Sequence, residues 1–119
     1  MITKKATIDG KEHTFACSAL LPKLYRVKFG SDMVSDMRRL INAYKNTDGD
    51  AEKMLEAFDG EVFERLTWLM LRHAGEDVPD NMDEWLASLD TIFSIYEALP
   101  TVIDLWYANN KTTSKPRKK

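Results

Sequence analysis

The sequence predicts a mainly α-helical protein: a compact helical bundle with an N-terminal β-hairpin and a disordered basic C-terminal tail. Three observations predict this fold. Asp9-Gly10 is a strong two-residue turn signal between alternating residues. Apolar residues then recur at helical spacing in several segments that end at glycines. Residues 111–119 contain five basic side chains, no acidic ones and no aliphatic ones.

The length and composition indicate one domain. A chain of 119 residues with 44% hydrophobic and 30% charged residues is an ordinary globular chain. We expect the domain to span 1–110 and a flexible basic tail to span 111–119. Cys17 is the single cysteine, so the chain cannot form an intrachain disulfide. The sequence has no apolar run of signal-peptide or membrane-helix length, which predicts a cytoplasmic protein.

The first element is a hairpin at about residues 3–17. Gly10 tolerates the positive φ that a two-residue turn requires. An isolated hairpin is only marginally stable in water. We therefore expect Ile8 and Phe15 to pack onto the helices, or an edge strand to pair with another chain.

The second element is a short helix at about residues 19–29. Pro22 is tolerated in a first helical turn, and Gly30 suits the position just after a helix end. Its apolar face is expected to consist of Leu20, Leu24 and Val27, with Leu21 and Tyr25 beside it.

Ser31 or Asp32 is expected to cap the next helix, which should run to about Lys45. Its apolar residues follow helical spacing, and Asp36 and Arg39 are expected on the solvent side. The apolar set is Met33, Met37, Leu40, Ile41 and Tyr44.

Two further helices follow. The first begins at Asp50 and carries Met54, Leu55 and Phe58 as its apolar stripe. The second, Glu61 to Ala74, is apolar on most sides, so we expect it to lie at the centre of the bundle.

A last helical region is expected from about Met82 to Tyr107. Asn81, followed three residues later by Glu84, resembles a capping box. Pro100 lacks a backbone donor, so we expect a kink or break there.

Catalytic and metal-binding patterns are missing from the sequence. His13 and His73 are the only histidines, and we interpret both as structural or simply exposed. Two acidic groups, Asp80/Asp83/Glu84 and Asp48/Asp50, are potential metal ligands, but helix caps and the helix dipole explain carboxylates at helix starts more simply. We therefore expect no enzyme activity, no cofactor and no metal site.

DNA binding is the alternative hypothesis. Two short helices meet at Gly30, as in a helix-turn-helix, with Arg38 and Arg39 on the second. Asp32 and Asp36 on that helix would repel phosphates, and the net charge of −2 does not favour nucleic acid as a partner. We therefore expect no nucleic-acid binding, and a small helix-turn-helix-like regulator remains the alternative.

Binding to another protein is the favoured hypothesis. Large aromatic side chains fill cores and also anchor interfaces. Trp85 lies one turn into its helix and Trp106 lies near the ordered end, which makes them the better interface candidates among the tryptophans. With Leu24, Tyr25 and Phe29, they form the expected partner-binding set.

Four ordered sequence pieces carry a resemblance to a known family. They are Leu21-Pro22-Lys23-Leu24-Tyr25-Arg26 with Lys28-Phe29-Gly30 and Asp32, then Trp68-Leu69-Met70, then Glu84-Trp85-Leu86 with Leu89-Asp90, and finally Leu99-Pro100 with Leu105-Trp106 and the lysine-rich end. In order and spacing, they resemble the tail assembly chaperones of long-tailed bacteriophages of Gram-positive hosts.

The resemblance implies a function in assembly. Such a chaperone binds the tape measure protein, keeps it soluble and helps recruit tail tube subunits. It acts in the host cytoplasm and is not part of the mature virion. We also expect weak homo-oligomers and no membrane association.

Overall fold

An antiparallel hairpin opens the chain in the computed structural model, which describes residues 1–111. The strands β1 (Ile2–Ile8) and β2 (Lys11–Cys17) pair along their full length. Asp9 and Gly10 both have positive φ, +52° and +79°. This turn matches the natural twist of two paired strands. The predicted hairpin is confirmed.

Helices make up most of the remaining described chain, which confirms the mainly α prediction. A 3₁₀ helix lies directly before the last α-helix. The elements are α1 (Leu21–Phe29), α2 (Met33–Asn46), α3 (Ala51–Ala57), α4 (Gly60–His73), α5 (Met82–Ala87), the 3₁₀ helix (Ser94–Ala98) and α6 (Leu99–Lys111).

The tail prediction for 111–119 falls almost wholly outside the described residues, which end at Lys111. Lys111 itself is the last residue of α6, so the helix extends slightly beyond the predicted boundary.

The helix α4 lies at the centre of the bundle, as predicted. Most of its side chains are buried, and β2, α1, α2, α5 and the 3₁₀ helix all contact it. Ile8 and Phe15 of the hairpin are buried in the same core. The first of the two expectations for the hairpin, packing onto the helices, is therefore confirmed.

The predicted face of α1 is wrong. Leu21 and Tyr25 point into the core, while Leu20 and Val27 are exposed. The helix begins only at Leu21. Leu21 and Tyr25 are four residues apart, so they share one face, and that face packs against the core.

The last helical region is interrupted earlier than predicted. The break lies between Ala87 and Ser94, whereas Pro100 sits in the first turn of α6, where a missing N–H is tolerated. The hydroxyls of Ser94 and Thr91 accept hydrogen bonds from the backbone N–H groups of Thr91 and Phe93. Side chains of this kind compete with the helical hydrogen-bond pattern.

Asp36 is buried, so its predicted solvent position is also wrong. Its carboxylate accepts hydrogen bonds from the Tyr25 hydroxyl at 2.7 Å, the Ser31 hydroxyl at 2.9 Å and the Arg39 guanidinium at 2.7 Å. Burial raises the pKa of Asp36, but these three donors outweigh burial and hold the pKa below its ordinary value. The network joins α1 to α2 across Gly30.

Tyr25→Phe should lower the free energy of unfolding at pH 7 by about 1–2 kcal/mol, because the ring still packs while the buried carboxylate loses a donor. Asp36 has a depressed pKa, so its contribution is present above its ordinary value of 3.8 and is lost as the pH falls through the folded-state value. The loss of unfolding free energy in Tyr25→Phe should therefore be smaller at acidic pH. Urea unfolding at several pH values measures it.

Tyr107→Phe is the control, since Tyr107 is exposed. It should change the unfolding free energy very little. Equal stability of Tyr25→Phe and the natural protein at pH 7 would show that the network contributes nothing.

Candidate partner-binding groove

The expected partner-binding residues lie in three places. Trp85 packs near the hairpin turn, and Trp106 lies against α2. Both are buried, as is Tyr25, while Leu24 is half-buried at the edge of the core. Each of these side chains therefore packs the protein itself, and partner contact through them stays a prediction.

Phe29 belongs to an aromatic cluster between α1 and α4. Its ring meets those of Tyr25 and Trp68 edge-on, with centroids 5.1 and 6.3 Å apart. The Arg65 guanidinium lies 5.2 Å from the Phe29 ring centroid, and the Lys28 ammonium lies 5.4 Å from that of Trp68. Cations over aromatic faces are stabilising. The half-buried Phe29 is thus covered in part by charged side chains.

The junction between α1 and α2 is the element considered for DNA binding, and its side chains contribute to the packing of the core. Gly30 ends α1 in the left-handed conformation, and Asp32 caps α2. Asp36 faces inward and is neutralised in part by Arg39. The repulsion expected between Asp36 and a phosphate backbone therefore does not apply in this conformation.

An open groove of about 470 Å³ lies between α3, the start of α4, α5 and the segment before the 3₁₀ helix. Most of the side chains that line it are apolar. Its lining consists of Leu55, Gly60, Glu64, Leu86, Ala87, Leu89, Asp90, Thr91, Ile92, Ile95 and Tyr96.

Exposed apolar side chains lie at the groove and beside it. Ile92 is 68% exposed and Leu55 is 42% exposed, and both line the groove. Phe93, the next residue after Ile92, is 39% exposed. Neighbouring exposed apolar side chains of this kind mark contact sites more often than single ones do. The sequence analysis placed Leu55 on an apolar stripe and did not single out Ile92.

Gly60, the first residue of α4, lines the groove. A Cβ atom added to Gly60 would be 3.7 Å from the Tyr96 hydroxyl oxygen and 3.9 Å from Oε2 of Glu64. The hydroxyl and the carboxylate therefore both lie beside the first residue of α4. Burial raises the pKa of Tyr96, and the nearby Glu64 raises it further.

Glu64 is the half-buried charge of the groove. Burial raises its pKa, and the like charges of Glu61, Asp59 and Asp83 raise it further. Arg65 pairs with Glu61 at 3.2 Å. Within residues 1–109, Glu64 itself makes no hydrogen bond or ion pair.

The hairpin turn holds one wall of the groove in place. The Asp9 carboxylate accepts hydrogen bonds from the Ser94 hydroxyl at 2.6 Å and from the backbone N–H of Asp90 at 2.9 Å. In return, the backbone N–H of Asp9 donates to the Glu97 carboxylate at 2.8 Å. These three contacts join residues more than eighty positions apart, and we call them the Asp9 clamp.

The two histidines connect the hairpin region to the end of α4. The His13 Nδ1 atom lies 2.9 Å from the Glu76 carboxylate, which also accepts from the Thr14 backbone N–H. The Nε2 atom of His73 lies 2.8 Å from the Ser18 hydroxyl. Both rings therefore have a structural contact that ties distant parts of the chain together.

Among residues 1–111, no three His, Cys, Asp or Glu side chains are arranged to hold a metal ion. No helix in the same range is long and apolar enough to cross a membrane.

Comparisons with protein-family models, with curated proteins and with solved structures found no match to this chain. The function of the groove is therefore inferred from its own residues and from the resemblance in sequence.

Asp9→Ala should lower the free energy of unfolding by about 2–3 kcal/mol, because the buried Ser94 hydroxyl loses its acceptor and alanine disfavours positive φ. Asp9→Asn should lower the free energy of unfolding by less, since asparagine tolerates positive φ and retains one acceptor oxygen. Urea unfolding at neutral pH measures both.

Asp48→Ala is the matched control for the backbone. Asp48 has a φ of +54°, close to that of Asp9, but its side chain makes no hydrogen bond within the described residues. Asp48→Ala should lower the free energy of unfolding by only about 1 kcal/mol. If both variants lose the same unfolding free energy, backbone strain accounts for the whole effect of Asp9→Ala. The hydrogen bonds of the Asp9 clamp would then contribute nothing to stability.

Proposed function

We propose that this chain is a tail assembly chaperone of a long-tailed bacteriophage. In this proposal it binds the tape measure protein in the host cytoplasm, keeps it soluble and helps recruit tail tube subunits. It acts by covering apolar surface and catalyses no reaction. The observation that carries the proposal is the open apolar groove, which the exposed Ile92 lines and to which the exposed Phe93 is adjacent in the chain.

The groove suits one face of an amphipathic helix. A volume of about 470 Å³ cannot enclose a whole helix, whose diameter with side chains is about 10–12 Å. It would instead take the apolar side chains that recur along one face. The exposed Leu55 and Ile92 would cover the flanks of that face.

The resemblance in sequence supplies the identity of the partner. A tape measure protein is a long amphipathic helix that would aggregate if its apolar face were left bare. Many copies of a small binding protein along such a helix would gain avidity without strong individual contacts. The same exposed side chains would allow free copies to associate weakly, as expected from the sequence.

Ile92→Asp should abolish co-purification with the tape measure protein and leave that protein insoluble on co-expression. An aspartate would place a charge against the apolar face of the partner. Ile92 is already 68% exposed, so the fold of the variant should be unaffected. Pull-down from the soluble fraction measures the complex, and circular dichroism checks the fold.

Val27→Asp is the matched control, because Val27 is 76% exposed but lies on α1, away from the groove lining. It should co-purify normally. Loss of binding in Val27→Asp alone would move the contact to α1, near Leu24 and Phe29. If the natural chain never solubilises the tape measure protein, the chaperone proposal fails.

A further inference from the structure

The carboxylate of Glu64 has no partner in the part of the chain that the structure describes. It is half-buried on α4 and lines the groove beside the Tyr96 hydroxyl. It makes no hydrogen bond or ion pair within residues 1–109. Burying a charge without a partner is unfavourable. Glutamine would fit the same position without this penalty, so the charge points to a role outside the stability of the fold.

The surroundings of Glu64 are acidic on each side. Asp59 and Glu61 precede it on α4, and Asp83 faces it from α5. Asp90 also lines the groove. Among residues 1–109, no lysine or arginine lines the groove. On α3, Glu52 and Glu56 outnumber Lys53.

Two arginines of α4 are engaged in contacts away from Glu64. Arg65 pairs with Glu61 and lies over the Phe29 ring. Arg72 pairs with Asp80 at 2.7 Å. Within residues 1–109, the groove thus combines an apolar lining with an unpaired negative charge, and its complement is an apolar surface that carries positive charge.

We propose that the groove binds a basic amphipathic helix, which places a lysine or arginine against Glu64 while its apolar side chains fill the space between Leu55, Leu89 and Ile92. This inference rests on the proposed function and names the chemistry of the bound segment. The long aliphatic stem of lysine or arginine would also cover part of the apolar wall. On a helix, such a residue would lie three or four positions from an apolar one.

The pairing would supply affinity and selectivity together. A partly buried carboxylate is screened by salt less than an exposed one. A helix with acidic residues at the same positions would bring like charges together, and such contacts exclude wrong partners. Acidic amphipathic helices of the host would therefore be rejected by the same groove.

Two synthetic peptides with the same leucine stripe test this proposal. One carries lysine and the other glutamate beside the stripe, and both are labelled for fluorescence anisotropy. The full chain should bind the lysine peptide roughly ten times more tightly at low salt, and the difference should fall as salt is added.

Glu64→Gln should remove most of this preference and leave the apolar part of the affinity. The variant should be at least as stable as the natural chain, because it loses an unpaired charge. Glu12→Gln is the matched control, since Glu12 lies on the exposed side of the hairpin outside the groove lining. It should keep the full preference for the lysine peptide.

The outcomes separate this proposal from the chaperone proposal. Equal binding of the two peptides, no binding of either, or an unchanged preference in Glu64→Gln would overturn the basic-helix proposal. Whether the chain solubilises the tape measure protein is tested separately, by the Ile92→Asp experiment. Failure of that experiment would overturn the chaperone proposal even if the lysine peptide binds selectively.

Discussion

The Asp9 clamp is the constraint on which the candidate site depends. Asp9 sits at the tip of a two-stranded hairpin that would be only marginally stable alone. Its carboxylate and backbone N–H hold the segment around Asp90, Ser94 and Glu97. That segment supplies one wall of the groove and carries the exposed Ile92. The first turn of the chain thus determines the shape of a surface formed near its other end.

Two sets of contacts hold the hairpin against the helices. Phe15 is buried in the core against the helices, and the His13–Glu76 contact ties β2 to the residues just after α4. The clamp then secures the turn. Long-range contacts of this kind convert a weak local element into a rigid support. Hydrogen bonds from the hairpin turn hold one wall of the groove in place. The groove can therefore stay open, because its apolar side chains do not need to pack against one another.

Much of the fold follows from local sequence signals, whereas the groove does not. Asp9-Gly10, Gly30 and the apolar pattern of α4 predict their elements directly. The burial of Asp36 was missed because its three donors come from residues that meet only in the folded chain. The break before the 3₁₀ helix depends on the hydroxyls of Thr91 and Ser94, and apolar spacing alone favours a continuous helix there. The pairing of Asp9 with Ser94 has no local signal at all.

The central claim is that a partner helix binds in the groove that the clamp holds open. Amide hydrogen exchange of the full chain, free and in complex with the tape measure protein, tests it most directly. The account predicts slower exchange on binding in residues 86–96 and at the start of α4, with α2 unchanged. Protection confined to α1 and α2, with residues 86–96 unchanged, would contradict the account.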